Sequence, residues 1–290
     1  MTLPKLILLC GLPASGKTHY AELFSNNNQY VHVSSDAIRQ ELYGNEEIQG
    51  DPQKVFYLMN NRTVDCLKRG LSVIYDATNM TRKSRASIIS MCPKYVTIEC
   101  HIIWKSIDNC IKHDADRKRS VGKNVIDHMV KSFQAPFYDE GFDVIKIIKS
   151  MLYSEYSNYA ETIFDSMIIP HDNPHHCNNI DQHCIEAYNY INNKTDSAEL
   201  KFAAFIHDIG KPYTKSFTDA KGNVSDEAHF YQHQCVGAWM AYGFEETTPY
   251  VAWLISTHMD MFLDTKYYRN MPDIFKKDLD LLHKADLNAH

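Results

Sequence analysis

Along the first half of the chain, short apolar runs alternate with stretches whose apolar positions recur every three to four residues. Leu6–Cys10, Tyr30–Val33, Leu71–Tyr75, Thr97–Ile103 and Val144–Ile148 are nearly continuous in apolar residues, which predicts buried strands. The segments between them, such as 51–68 and 125–133, carry the helical period. Strands that alternate with helices predict an α/β domain, a parallel sheet with helices on both faces. After Ile148 the strand pattern stops, and successive helices are expected near 153–168, 181–193, 198–208, 229–242, 247–259 and 273–288. The polar stretch Lys215–Asp226, with Gly222 and Asn223, predicts the longest loop of this half. The pattern therefore divides the chain into an α/β domain over 1–152, a connecting helix or linker over 153–170, and an all-α domain over 171–290.

Composition adds little until the halves are separated. The 290 residues are 44% hydrophobic and 23% charged, as in an ordinary globular protein of about two domains. The first apolar run, Leu3–Leu12, is broken by Pro4 and Lys5 and falls short of the ~20 residues a membrane helix needs, so no membrane partner is expected. Eight cysteines without a CxxC pair suit a reducing, cytoplasmic setting. The net charge of −6 hides an asymmetry. Residues 1–150 hold 20 Lys and Arg against 16 Asp and Glu, a net of +4, whereas residues 151–290 hold 10 against 20, a net of −10. Ten of the fifteen histidines fall in the acidic half, the composition of a cation site.

Gly11-Leu-Pro-Ala-Ser-Gly16-Lys17-Thr18 fits G-x-x-x-x-G-K-[ST] between a predicted strand and a predicted helix. Backbone N–H groups of Gly11, Ser15 and Gly16 are expected to face the phosphates of ATP or another NTP, with Lys17 on the β/γ-phosphates and the Thr18 hydroxyl on Mg²⁺. A strand-end acid follows in Ser34-Ser35-Asp36-Ala-Ile-Arg39. Ligands of open parallel sheets bind at the carboxyl ends of strands, so Asp36 is a candidate general base, its alternative being a helix cap. Arg39, one turn on, is placed to hold an anionic acceptor. A third strand ends in Asp76-Ala-Thr-Asn79, with Arg82 and Arg85 following as candidate substrate contacts. A basic stretch over 112–123 includes Arg117, Lys118 and Arg119.

These motifs, together with the ending Glu140-Gly-Phe-Asp-Val-Ile-Lys-Ile-Ile148, resemble the 5′-OH polynucleotide kinases of phage and bacterial RNA repair over about residues 3–150. The resemblance implies that Asp36 takes the acceptor proton, that Arg39 contacts a phosphate of the acceptor strand, and that Arg117 reaches the donor from a lid. That family carries two lid arginines four residues apart, and His113 stands at the first of these positions, which leaves Lys112 as a substitute cation.

In the second half, Phe205-Ile206-His207-Asp208-Ile209-Gly210-Lys211-Pro212 is accompanied by His183, His233, His258 and Asp286. Imidazoles with carboxylates suit Mn, Fe, Ni, Co or Zn better than a structural thiolate site does. The series resembles the HD phosphohydrolase superfamily over about residues 171–290. It implies one metal on His183, His207, Asp208 and Asp286 and a second on Asp208, His233 and His258, acting together on a phosphate ester. Asp208 would then be catalytic as well as a ligand. Lys211 is a candidate for neutralising a phosphate oxygen, and His176 and His229 are candidates for substrate contact or leaving-group protonation.

A 5′-OH kinase joined to a 2′/3′-end phosphohydrolase makes sense as an RNA end-healing enzyme. It would act on broken or tRNA-like RNA and hand its products to an RNA ligase. Two alternatives remain from the residues. One is a small-metabolite or nucleoside kinase fused to an HD nucleotidase, and the other a nucleotide-sensing module whose HD half does not turn over.

Overall fold

The structure, a computed structural model, describes residues 3–25, 30–149, 153–173 and 178–289, the side chains of 153–157 excepted. Its residues fall into two compact units: one comprises Met1–Met129 with Pro136–Ser150, the other Val130–Ala135 with Met151–His290.

The first unit runs β1 (Lys5–Cys10), α1 (Lys17–Ser25), β2 (Tyr30–Ser34), α2 (Ser35–Tyr43), α3 (Pro52–Lys68), β3 (Ser72–Asp76), α4 (Arg82–Ile89), β4 (Thr97–Trp104), α5 (Ile107–Ala115), α6 (Lys123–Lys131) and β5 (Val144–Lys149). The strands form one parallel sheet in the order β2-β3-β1-β4-β5. Leu6, Ile7, Leu8, Leu9 and Cys10 are all buried, because a central parallel strand is covered on both faces. The neighbours of β1, β3 and β4, are not its neighbours in sequence. The chain therefore leaves β1 at a switch point, where a crevice opens beyond the strand ends.

The second unit runs α7 (Tyr153–Ser166), α8 (Ile180–Asn192), α9 (Ala198–Ile206), α10 (Lys211–Thr214), β6 (Ser216–Thr218), β7 (Val224–His229), α11 (His233–Ala241), α12 (Pro249–Thr257), α13 (Lys266–Asn270) and α14 (Asp273–Asn288). The helical reading of this half holds, with one addition. The expected loop over 215–226 is instead part of an antiparallel hairpin, with Ser216 opposite His229 and Thr218 opposite Val224. Its turn is tied by the Asp219 carboxylate, which accepts from the backbone N–H of Lys221 and of Asn223, both at 2.8 Å. Along β7 only Ala228 is buried, so no apolar alternation announces the strand. The core of the unit is apolar on nearly every face of α11 and α12, where Trp239 and Trp253 are fully buried. Among the described residues no helix is long and apolar enough to cross a membrane.

Candidate functional site

In the first unit a cleft of about 810 Å³ lies beyond the strand ends, lined by Gly16, Lys17, Thr18, His32, Asp36, Arg39, Asp76, Lys105, His113, Arg117 and Arg119 among others. The phosphate loop turns so tightly against β4 that a Cβ on Gly11 would come within 2.7 Å of the Ile103 carbonyl, so only glycine fits. The Gly11 N–H, expected to face the phosphates, instead donates to the Thr78 carbonyl at 3.0 Å, and the Asn79 amide donates to the Leu9 carbonyl at 2.6 Å, binding the loop after β3 to the phosphate loop. Lys17 Nζ donates to the carbonyls of Gly11 and Leu12 at 3.0 and 2.7 Å, and burial pushes its pKa down while Asp76 opposes the shift. Ser15 is buried, its hydroxyl without a hydrogen-bond partner among the described residues. The Thr18 hydroxyl donates to Asp76 Oδ2 at 3.1 Å. His32 Nε2 lies 3.1 Å from the same oxygen. Asp76 thus pairs with Thr18, the residue expected to ligate Mg²⁺, a contact its motif did not reveal, although it stands at a strand end just as Asp36 does.

Asp36 is not the cap of its helix. Ser34 holds that position, its hydroxyl accepting from the Ala37 N–H at 3.0 Å, so the Asp36 carboxylate is left for other partners. Arg39 donates to its Oδ1 at 2.8 Å, and Arg119 NH1 lies 3.1 Å from the same oxygen. The loop that carries Arg117 and Arg119 is ordered by the buried Asp114, whose Oδ2 accepts from the Ser120 hydroxyl and from the N–H of Val121 and Gly122. Lys112 is absent from the lining of the cleft, whereas Lys105 is present.

Arg85, expected among the substrate contacts, does not line the cleft. It is completely buried, and its Nε and NH2 each donate at 2.7 Å to the Glu140 carboxylate while NH1 donates to the Asn79 carbonyl at 3.0 Å. A bidentate pair with an oriented carbonyl consumes the guanidinium fork, so Arg85 locks α4 to the chain ahead of β5. Arg82 also lies toward Glu140, at 3.9 Å, and neither arginine lines the cleft. Because removal of one partner leaves a buried charge unpaired, Arg85→Ala should destabilise the unit by about 3–5 kcal/mol. Urea unfolding checks this, and an unchanged midpoint with weakened substrate binding would return Arg85 to the substrate contacts.

In the second unit, α8, the end of α9, the start of α11, the end of α12 and α14 bring His183, His207–Asp208, His233, His258 and Asp286 together. The close approach of α10 and α11 makes this possible: a Cβ on Gly210 would sit 2.1 Å from the His233 carbonyl oxygen. Asp208 is buried and divides its two oxygens. Oδ2 faces His183 at 3.4 Å and His207 at 3.3 Å, while Oδ1 faces His233 at 3.2 Å and His258 at 3.9 Å. Asp286 Oδ1 completes the first group, 3.0 Å from His183 and 3.6 Å from His207.

The imidazoles share one orientation. Nδ1 of His183, His207, His233 and His258 lies 2.8–2.9 Å from the backbone carbonyl of Ala289, Ala204, Phe230 and Ile255 respectively. A carbonyl only accepts, so each Nδ1 carries a proton and each ring turns its Nε2 inward, the atom that offers a lone pair to a cation. Yet the Nε2 atoms of His183 and His207 are 3.2 Å apart, and those of His233 and His258 3.1 Å apart. Two lone pairs at that distance repel unless positive charge lies among them, and the donor set fits two divalent cations bridged by Asp208. The two carboxylates favour positive charge at this point, whether a proton's or a cation's: burial works against charge on His207, but Asp208 and Asp286 overcome it and hold its pKa well above the usual value. Asp208 is held well below the carboxylate range, against its burial, by His207 and Lys211. His258, buried beside His233, is pushed down to about 3.

Lys211 Nζ lies 2.6 Å from Asp208 Oδ2 and 3.2 Å from His171 Nε2. His171 is a residue that sequence reasoning missed. It is buried, its Nδ1 is 2.8 Å from the Asn178 carbonyl, and burial with the nearby Lys211 charge brings its pKa down to about 4, so it meets Lys211 as a neutral acceptor. His229 lies on β7, stacked on Tyr231 at 5.4 Å, and belongs to neither ligand group. His176 lies outside the described residues.

Comparison with known families agrees with this geometry. Residues 6–136 match the AAA domain family and residues 180–286 match the HD domain family, so the chain joins an AAA-type P-loop domain to an HD domain. P-loop kinases act on a nucleotide with Mg²⁺, and HD domains bind divalent metals. No curated protein matches. Among solved structures, the chain is similar to a chain of the Pnkp1/Rnl/Hen1 RNA repair complex at 23% identity, over 46% of this chain and 44% of that one, with a TM-score of 0.41. A gluconokinase from Sinorhizobium meliloti is 15% identical over 53% of this chain and 88% of its own, with a TM-score of 0.38. A fungal RNA kinase is 16% identical over 58% of this chain and 44% of its own, with a TM-score of 0.39. The chain thus spans less than half of the RNA repair chain it matches.

Proposed function

We propose that the protein heals both ends of broken RNA. Its P-loop unit transfers the γ-phosphate of ATP or another NTP to a 5′-OH end, and its HD unit hydrolyses 2′,3′-cyclic, 2′- or 3′-phosphate ends. The observation that carries this reading is the presence on one chain of two built sites: a strand-end acid beside a phosphate loop, and a buried carboxylate whose two oxygens each face a separate set of imidazole lone pairs.

In the first site, Lys17 and the loop N–H groups bind the donor phosphates, and Thr18 with Asp76 holds Mg²⁺. The acceptor 5′-OH gives its proton to Asp36 as its oxygen bonds to the γ-phosphorus and the bond to the β-phosphate breaks. Arg39 and Arg119, both on Oδ1, orient that carboxylate and meet the acceptor phosphates. In the second site, His183, His207, Asp208 and Asp286 would hold one divalent cation and Asp208, His233 and His258 another. Such cations supply a Lewis acid and a water of lowered pKa. Lys211, aligned by His171, neutralises a phosphate oxygen. Charge supports the acceptor class: residues 1–150 carry a net +4, and Arg39 and Arg119 on one cleft suit a polyanion better than a small neutral metabolite.

The test is an acceptor series from nucleoside to 5′-OH oligonucleotide. The turnover ratio kcat/KM should rise with length, and oligonucleotide binding should weaken as salt rises, because Lys/Arg–phosphate contacts release counterions. A free nucleoside accepting phosphate as well as an oligonucleotide, with no salt dependence, would favour the nucleoside-kinase alternative.

A further inference from the structure

The kinase cleft contains a cation that no motif announces. Lys105 directly follows β4, the strand beside β1, and the Ile103 carbonyl two residues earlier is the atom that abuts Gly11 of the phosphate loop. Lys105 is therefore delivered to the loop by the same strand-end geometry that delivers Asp36 and Asp76, and it lines the cleft with Lys17, Thr18, Asp76 and Arg117. Its Nζ lies 2.8 Å from Nδ1 of His113, a lining residue on α5 four positions before Arg117. An ammonium only donates, so His113 accepts as a neutral imidazole. This hydrogen bond orients the ammonium on the wall of the cleft.

We propose that Lys105, held by His113, is a second lysine ligand for the β/γ-phosphates of the nucleotide donor, acting with Lys17 and Arg117. His113 is a positioning residue for it. The pair takes the place assigned from sequence to Lys112, which does not line the cleft. This inference rests on the kinase reading above.

The experiment measures NTP and 5′-OH oligonucleotide kinetics, and binding of ATP alone, for the full chain. Lys105→Ala should raise KM for ATP or lower kcat by about tenfold to a hundredfold, the scale of one charge-assisted contact, while the oligonucleotide KM stays put. ATP binding should weaken in parallel. His113→Ala should show a smaller loss of the same kind, and His113→Gln, which retains an acceptor, should recover most of it. Lys105→Ala combined with His113→Arg should regain ATP affinity, because it returns a cation to the same wall of the cleft. Normal ATP kinetics and binding in Lys105→Ala would overturn the inference, as would a change confined to the oligonucleotide KM or a loss that His113→Arg does not restore. Lys17→Ala separates the two levels. If it stays active, the kinase reading fails; if it is inactive while Lys105→Ala is normal, only the role of Lys105 fails.

Discussion

Replacing Asp208 with alanine is expected to abolish phosphate-end hydrolysis and to lower the divalent metal content of the purified protein, leaving 5′-kinase activity intact. The two Asp208 oxygens face different histidine pairs, and among the described residues Asp208 is the ligand common to both groups. Losing an outer partner of a metal ligand costs about 10–100-fold, and loss of the bridge should exceed that range. Asp208→Asn retains the volume and one acceptor oxygen, and serves as the control for folding. It should keep the thermal midpoint nearer to the parent while hydrolysis still collapses. Metal analysis run beside an end-group assay checks both parts. Unchanged metal content, or hydrolysis that survives complete chelation, would reduce the HD unit to a binding module.

Asp36→Ala and Lys17→Ala are expected to remove most 5′-kinase activity, loss of the general base alone costing on the order of 10²–10⁴-fold. The two should differ in kind. Lys17 is buried among loop carbonyls and meets the donor, so its loss should weaken ATP binding as well as turnover. Asp36 lies between Arg39 and Arg119, so its loss should spare ATP affinity and lower kcat. Hydrolysis by the HD unit should persist in both. Phosphorylation of 5′-OH ends at the parental rate by Asp36→Ala would remove the base assignment.

What the sequence disclosed, and what it withheld, follows from which residues make their environment visible. Central strands such as Leu6–Cys10 are buried on both faces and read directly as apolar runs. The phosphate loop was legible because its glycines and Lys17-Thr18 answer a fixed backbone geometry. The β6–β7 hairpin was not, since its strands are polar and mostly exposed and leave no period to detect. The environment of Arg85 is hidden for the opposite reason: a charge normally marks surface or substrate, and only the fold reveals that Glu140 has followed it inside. Lys105 and Asp76 were within reach, because the strand-end rule that singled out Asp36 applies equally to β3 and β4. His171 was beyond it, for its partner Lys211 lies 40 positions away and no motif links them.

The most direct test of a single enzyme with two end-directed sites uses one RNA oligonucleotide bearing a 5′-OH and a 2′,3′-cyclic phosphate, incubated with γ-labelled ATP, Mg²⁺ and a transition metal such as Mn²⁺. The account predicts that both ends change on the same strand, with label gained at the 5′ end and phosphate opened or removed at the other. It further predicts that Asp36→Ala blocks only the first change and Asp208→Ala only the second. Label transferred to nucleosides but not to the oligonucleotide, or a cyclic end untouched under every metal condition, would contradict it.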